Sequence, residues 1–229
     1  YTFFEAAKDR VVDIFQPDIN WVGGFTAVQK ITAIADASGL EVICHAGRFT
    51  SAHNAQVMNK RQELMIETFK ALPDLHHAGW QLHLAGGYYP TSENAAQLAA
   101  LQRAAEGYPI FFHVNASLAE LHQLYRTASL YWHATGYGQD AQRYPETQEH
   151  FGMTIVEAMS AGAVPVVFNS GGPTETVTHG VNGFVWDNLP ELAACTRRLA
   201  ADESLRSALS QQAIVRSQHF SKANFLARL

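Results

Sequence analysis

The fold is decided by residues 149–186, which read EHFGMTIVEAMSAGAVPVVFNSGGPTETVTHGVNGFVW. Two acids, Glu149 and Glu157, are separated by seven residues, with a Phe-Gly turn between them. A β-branched run, Val164 to Phe168, follows a helix end rich in small residues, and Gly171-Gly172 then precedes another helix start. This order of apolar runs and glycine turns predicts an α/β sheet with both acids at one of its edges.

The same stretch predicts a binding site at that edge. A helix that begins near Gly152 would place Glu149 on the loop before it and Glu157 in its second turn. The free N–H groups of a first helical turn attract phosphate without a metal, and a nearby carboxylate can accept hydrogen bonds from sugar hydroxyls. The alternative is that Glu149 is a helix-cap acid and Glu157 a solvated helix residue.

Composition bounds the class of protein. The chain has 229 residues, of which 47% are hydrophobic and 16% charged, enough for one large or two small globular domains. The net charge of -5 argues against a general nucleic-acid binder. No apolar run reaches membrane-spanning length and no secretory signal is visible, so we expect a cytoplasmic protein, or one peripheral at the membrane. Cys44 and Cys195 fit buried thiols of a reducing compartment.

Outward from residues 149–186, helices and strands alternate, which predicts parallel strands. The last two predicted helices are amphipathic. His76-His77 is assigned to a loop, and no His spacing predicts a metal site. The predicted strands are at 11–15, 40–44, 80–85, 109–114, 129–133 and 164–168, and the predicted helices are at 26–38, from 59 to Pro73, at 93–106, at 117–126, from 152, at 189–201 and at 203–218. The apolar face of the helix before Pro73 is predicted as Leu64, Ile66, Phe69 and Leu72.

The first 46 residues form a separate pattern. Residues 11–15 and 40–44 are apolar enough to pair in parallel, with the helix at 26–38 as the crossover. The run VVDIFQPDINWVGGFTAVQKITAIADASGLEVICHAG resembles the sixth and seventh strand units of an enolase-superfamily barrel, of the mandelate racemase or sugar-acid dehydratase kind. That resemblance would make Asp18 and His45 a catalytic dyad. The family's three magnesium-binding acids have no counterpart in this sequence, so we do not expect the activity to carry over.

The rest of the chain carries four motifs in order: GRF at Gly47, NKRQ at Asn59, EHFGMTIVEAM at Glu149, and GG followed by Glu175 and VNGFVW. With these motifs, residues 47–229 resemble the C-terminal half of a GT-B glycosyltransferase of the retaining group-one, or family-four, kind. The resemblance implies an open parallel Rossmann-like sheet with helices on both faces, which is one half of a GT-B fold. It also divides the chain into residues 1–46 and 47–229.

The resemblance assigns roles to individual residues. Glu149 and Glu157 would be the catalytic acids, Glu149 facing the donor sugar and Glu157 holding the ribose hydroxyls. His133 and His150 flank the site loop and could either touch the sugar or serve as polar packing. The remaining contacts would be Arg48 and Lys60 on the nucleotide diphosphate, Val114 and Asn115 where the base packs, and Phe151, Gly152, Met153 and Thr154 near the sugar and phosphates.

The implied reaction is hexosyl transfer from a UDP- or GDP-sugar with retention of configuration, without a metal or another cofactor. The acceptor, whether glycan, lipid or small molecule, is left open. The chain begins at Tyr1, which suggests a fragment, and the acceptor-binding half of a GT-B enzyme has no counterpart in it. Because the two resemblances meet near Gly47, we expect a fusion or a misassembled reading frame joined there, which binds nucleotide but transfers little. The alternatives are a non-catalytic nucleotide-sugar-binding module and a fragment of a sugar-acid dehydratase.

Overall fold

The computed structural model describes residues 3–9, 14–15, 30–31, 34–35, 38, 41–42, 60–87, 92–221 and 224. The chain divides into two compact units, Tyr1–Gln56 and Val57–Leu229. The predicted junction near Gly47 lies outside the described residues, as do Asp18, His45 and Arg48.

The first unit contains a short helix and a pair of parallel strands. Helix α1 spans Phe3–Lys8, and strands β1 (Ile14–Phe15) and β2 (Glu41–Val42) pair in parallel. This confirms the predicted parallel pairing. The described residues of the predicted crossover, Lys30, Ile31, Ile34, Ala35 and Ser38, are helical.

The second unit alternates strands and helices. None of the described helices has the length and apolar run needed to cross a membrane. The elements are α2 (Gln62–Lys70), α3 (Pro73–His77), β3 (Leu82–Gly86), α4 (Ser92–Ala105), β4 (Ile110–Val114), α5 (Leu118–Thr127), β5 (Leu130–His133), a 3₁₀ turn (Pro145–Thr147), α6 (Met153–Ser160), β6 (Val164–Phe168), α7 (Pro173–Thr176), β7 (Phe184–Trp186), α8 (Leu189–Ala201) and α9 (Glu203–Gln218).

Every pairing between described strands is parallel. Strand β3 pairs with β4, and β6 lies between β5 and β7 in the order β5-β6-β7. Side chains of both ladders meet in one hydrophobic cluster, to which β3 contributes Leu82 and Leu84 and β5 contributes Trp132. The predicted α/β class with parallel open sheets is confirmed. Strand β7 is an addition that the sequence did not predict.

Strand β6 is the centre of the core, because successive side chains of a strand point to opposite faces. On one face, Val166 packs in a cluster with Phe184 and Trp186 of β7 and Leu192 and Leu199 of α8. On the other face, Val167 packs with Ile155 and Met159 of α6 and Ala213 of α9. Helices therefore cover both faces of the β5-β6-β7 sheet, as predicted.

Pro73 does not act as the sequence suggested. Helix α2 already ends at Lys70, and Pro73 is the first residue of α3, which contains His76 and His77. A proline at the first helical position loses no hydrogen bond, so the same residue suits a helix start as well as a stop. The predicted loop at His76-His77 is therefore wrong. The apolar face of α2 is also shifted: Met65, Ile66 and Phe69 are buried, whereas Leu64 is partly exposed.

The turn after β6, which contains Gly171 and Gly172, packs directly against the loop before α6. The Gly172 N–H donates a hydrogen bond of 2.8 Å to the carbonyl oxygen of Glu149. A Cβ on Gly171 would collide with that carbonyl oxygen, and a Cβ on Gly172 would collide with the carbonyl oxygen of His150. The two turns touch backbone to backbone, and only glycine leaves room for that contact.

We expect Gly172→Ala to lower the free energy of unfolding by about 1–3 kcal/mol, because the added methyl group overpacks a backbone contact that cannot move aside. Gly172 has φ -57°, so the loss would not come from backbone strain. Urea unfolding followed by circular dichroism measures it. Gly87→Ala is the matched control, since a Cβ there meets no atom within 4 Å. Equal stability of the two variants would contradict the role assigned to Gly172.

Candidate functional site

Helix α6 begins at the edge where β5 and β6 end. Its N-cap is Gly152, in the left-handed conformation with φ 83°, which favours glycine. A Cβ there would lie 2.6 Å from Ile155 Cδ1. Gly152 provides no side chain to cap the helix, so the amides of the first turn are not masked by a capping side chain. The predicted helix start near Gly152 is confirmed, with Glu157 in the second turn.

Glu149 lies on the loop before this helix and meets residues from two other segments. Lys60 Nζ is 2.8 Å from Glu149 Oε2. His133, the last residue of β5, places Nε2 at 3.5 Å from the same oxygen. The exposed fractions of the side chains are 40% for Lys60, 20% for Glu149 and 3% for His133. The structure thus brings together two residues that the sequence marked for donor binding and one histidine that it left open.

The charges in this group follow from its contacts. The hydrogen bond from His133, together with the Lys60 ammonium, lowers the pKa of Glu149 to about 2 against the opposing effect of burial. Burial lowers the pKa of His133. At neutral pH, an ionised carboxylate therefore accepts hydrogen bonds from a neutral imidazole and an ammonium group. This assigns the proton of His133 to Nε2, since that nitrogen faces the carboxylate.

The second acid, Glu157, is exposed and has one phenol partner. Tyr125 of α5 donates its hydroxyl to Glu157 Oε2 at 3.1 Å, and Tyr131 of β5 donates to Thr154 Oγ1 at 2.8 Å. Burial raises the pKa of Tyr125 and raises that of Tyr131 to about 12, so both phenols remain neutral donors. Neither tyrosine is among the site residues predicted from the sequence. Neither stands in a motif, and each contact joins residues far apart in the chain.

The loop between β5 and α6 is anchored at several points. The Gln148 side chain is buried and accepts a hydrogen bond of 2.6 Å from Ser170 Oγ. Its amide packs so closely on Gly136, which has φ 84°, that a Cβ there would collide with it. Arg61 donates to the Tyr137 carbonyl oxygen at 2.8 Å. These contacts hold both ends of the loop against α2 and the turn after β6.

The other predicted site residues lie at two places. Val114 ends β4 and is exposed, and Asn115 follows it in the left-handed conformation with its N–H on the Gly86 carbonyl oxygen at 2.9 Å. Phe151 and Met153 are exposed beside the start of α6. The structure gives no contact that joins Val114 to the Lys60–Glu149 pair within the described residues. Nor does that part of the chain contain three or more clustered His, Cys, Asp or Glu side chains able to hold a metal ion.

Comparison with known sequences gives two separate likenesses. The family described as "Glycosyl transferases group 1" matches residues 38–216. The GDP-Man:Man(3)GlcNAc(2)-PP-Dol alpha-1,2-mannosyltransferase of Dictyostelium discoideum is 32% identical over 115 residues, which is 50% of this chain but 21% of that protein. L-rhamnonate dehydratase of Saccharopolyspora erythraea is 51% identical over 41 residues, 18% of this chain and 10% of that protein. The chain therefore spans only a small part of these relatives.

Solved structures share the fold. The C-terminal domain of a glycosyl transferase group 1 family protein (LpcC) from Francisella tularensis superposes with a TM-score of 0.52 at 19% identity, covering 72% of this chain and 79% of that one. HepE from Anabaena, solved in complex with UDP-glucose, gives a TM-score of 0.58 at 20% identity, covering 88% and 62%. The family match covers most of the chain, and the fold agrees with it. This chain belongs to the group 1 glycosyl transferases and has the fold of their GT-B C-terminal domain.

Proposed function

We propose that this chain is the donor-binding half of a retaining glycosyltransferase and binds a UDP- or GDP-sugar. One observation carries the proposal. Lys60, which lies just before α2, contacts Glu149 on the loop that leads into α6, at the edge where β5 and β6 end. Open parallel sheets bind their ligands at this carboxyl edge of the strands. A cation, a carboxylate and a helix N-terminus are the groups that a nucleotide sugar requires there.

The nucleotide diphosphate would be held electrostatically. Lys60 supplies positive charge, and the amides of Gly152, Met153 and Thr154 add hydrogen-bond donors at a helix N-terminus. The family resemblance also assigns Arg48 to the diphosphate, and that residue lies outside the described part of the chain. Hydrogen bonds between charged groups are short and strong, so these groups can bind a diphosphate without a metal. The same groups would stabilise the departing diphosphate during transfer.

The two acids would bind hydroxyl groups of the two sugars of the donor, which are the transferred sugar and the ribose. Glu149 accepts hydrogen bonds from hydroxyls of the transferred sugar, and Glu157 accepts them from the ribose. Phe151 lies beside the transferred sugar. Val114 and Asn115 at the end of β4 would pack against the base.

The proposed reaction is hexosyl transfer with retention, through an oxocarbenium-like state in which the leaving phosphate helps to deprotonate the acceptor. The names of the relatives support hexosyl transfer, since they include a mannosyltransferase and sucrose synthases. Because the chain spans a fraction of these proteins, we expect nucleotide binding with little or no turnover by this chain alone. Measurable turnover without an added acceptor-binding half would contradict that expectation.

Calorimetric titration with UDP, GDP and ADP, without metal, tests the proposal. One nucleotide should bind with a dissociation constant in the micromolar to sub-millimolar range. Lys60→Ala should weaken that binding about ten- to a hundredfold, because each charge-assisted hydrogen bond contributes about 1.5–3 kcal/mol. Arg48→Ala should have a similar effect. Lys70→Ala is the matched control, since Lys70 lies at the other end of α2 with its ammonium on the Ala104 carbonyl oxygen. If none of the three nucleotides binds, the proposal is wrong.

Tyr125→Phe tests the ribose contact, because it removes only the hydroxyl that orients Glu157. We expect the nucleotide diphosphate to bind about two- to tenfold more weakly, because Tyr125 acts on the ribose only indirectly, by orienting Glu157. The matching 2′,3′-dideoxynucleotide lacks the hydroxyls that Glu157 would bind, so wild type and variant should bind it equally. Tyr108→Phe, on an exposed tyrosine outside the site, should change neither. Equal weakening for both nucleotides would show that Tyr125 acts on the fold and not through the ribose.

A further inference from the structure

One carboxylate oxygen of Glu149 has two hydrogen-bond partners, which differ in exposure and in freedom to move. Lys60 and His133 both reach Oε2, at 2.8 and 3.5 Å. Lys60 stands just before α2 on a long flexible side chain that is 40% exposed. His133 ends a core strand and is 3% exposed. The ammonium is free to reach another anion, whereas the imidazole is fixed by the packing around it.

Among the described residues, Glu149 is the one polar partner of the His133 ring. Its Nδ1 is buried and has no hydrogen-bond partner among the described residues, and the same is true of the nearby Thr135 hydroxyl. A buried ring nitrogen without a partner is unfavourable, so the ring is not explained as a structural bridge between two elements. Its one hydrogen bond within the described chain goes to a residue of the candidate site.

We propose that His133 is a positioning residue, which holds the Glu149 carboxylate towards the donor sugar while Lys60 leaves it for the diphosphate. The inference rests on the proposed function, because it requires a donor that carries both a diphosphate and a sugar. In the donor-free protein, Lys60 and His133 share Oε2. In the donor complex, the Lys60 ammonium binds the diphosphate. The hydrogen bond from His133 Nε2–H then keeps the Glu149 carboxylate in place.

This assignment separates the two parts of the donor. A nucleoside diphosphate contacts Lys60 through its phosphates and Glu157 through its ribose, but it lacks the transferred sugar that Glu149 would bind. A nucleotide sugar also requires an oriented Glu149. Loss of the His133 hydrogen bond should therefore lower the affinity for the nucleotide sugar. The affinity for the nucleoside diphosphate should stay unchanged. The quantity to follow is the ratio of the two dissociation constants.

The experiment compares His133→Asn with His133→Gln in the full chain. A glutamine amide reaches roughly the position of Nε2 and can still donate to Glu149, whereas an asparagine amide stops at the position of Nδ1. Calorimetry gives the dissociation constants for UDP and UDP-glucose, and for GDP and GDP-mannose, and the pair that binds is used. Glu149→Gln provides the reference for a site without the carboxylate. His133→Phe is a second variant without a donor, in case the asparagine variant does not fold.

We expect His133→Asn to weaken nucleotide-sugar binding about tenfold relative to the diphosphate, the effect of one charge-assisted hydrogen bond. The diphosphate constant should stay within about twofold of wild type. His133→Gln should keep the wild-type ratio, and His133→Asn combined with Glu149→Gln should lose no more than Glu149→Gln alone.

Three results would overturn the inference. The ratio could be unchanged in His133→Asn, both ligands could weaken equally, or glutamine could fail to restore the ratio. In each of these cases the wild type still binds nucleotide, so the proposed function stands. If the wild type binds neither diphosphate nor nucleotide sugar, the proposed function fails and the inference fails with it.

Discussion

The contact between two backbone turns fixes the geometry of the site. Gly171 and Gly172 lie against the carbonyl oxygens of Glu149 and His150 with no room for a side chain, and the Gly172 N–H bonds to Glu149. The turn that carries the glycines leaves β6, whose Val164, Val166 and Val167 are fully buried. The position of Glu149 and the start of α6 are therefore set by a strand that is buried in the core.

The Lys60–Glu149 pair is suited to exchange. The Lys60 side chain is 40% exposed and the Glu149 side chain 20%, and an ion pair with a partner as exposed as Lys60 contributes little to stability. A hydrogen bond between a cation and a diphosphate contributes about 1.5–3 kcal/mol. A diphosphate carries more negative charge than one carboxylate and so attracts the ammonium more strongly, and the partly exposed Lys60 side chain can turn towards it. The pair also keeps Glu149 ionised before binding, because the ammonium and the imidazole both favour the charged form.

Local patterns predicted the second unit well, and long-range contacts did not follow from them. The bounds of β6, α8 and α9 agree with the sequence prediction because each element has a clear period and a clear stop. Pro73 was misread because proline suits both the end of one helix and the start of the next. The contact between Lys60 and Glu149 spans 89 residues, and no local signal encodes it. The sequence placed Glu149 at a sheet edge, and the family resemblance assigned Lys60 to the diphosphate, but only packing decides that the two side chains meet.

Both acids of the candidate site keep an oxygen that no described residue uses. Glu191, at the start of α8, uses both oxygens, accepting from the Asp187 N–H at 2.8 Å and from Asn188 Nδ2 at 2.7 Å. Among the described residues, Glu149 and Glu157 each use Oε2 alone. A carboxylate has about four lone-pair sites, so each of these acids keeps acceptor capacity at an edge where ligands bind. The hydrogen-bond partners of Glu149 and Glu157 orient the carboxylates but leave part of their acceptor capacity unused. An acid that binds sugar hydroxyls needs that unused capacity.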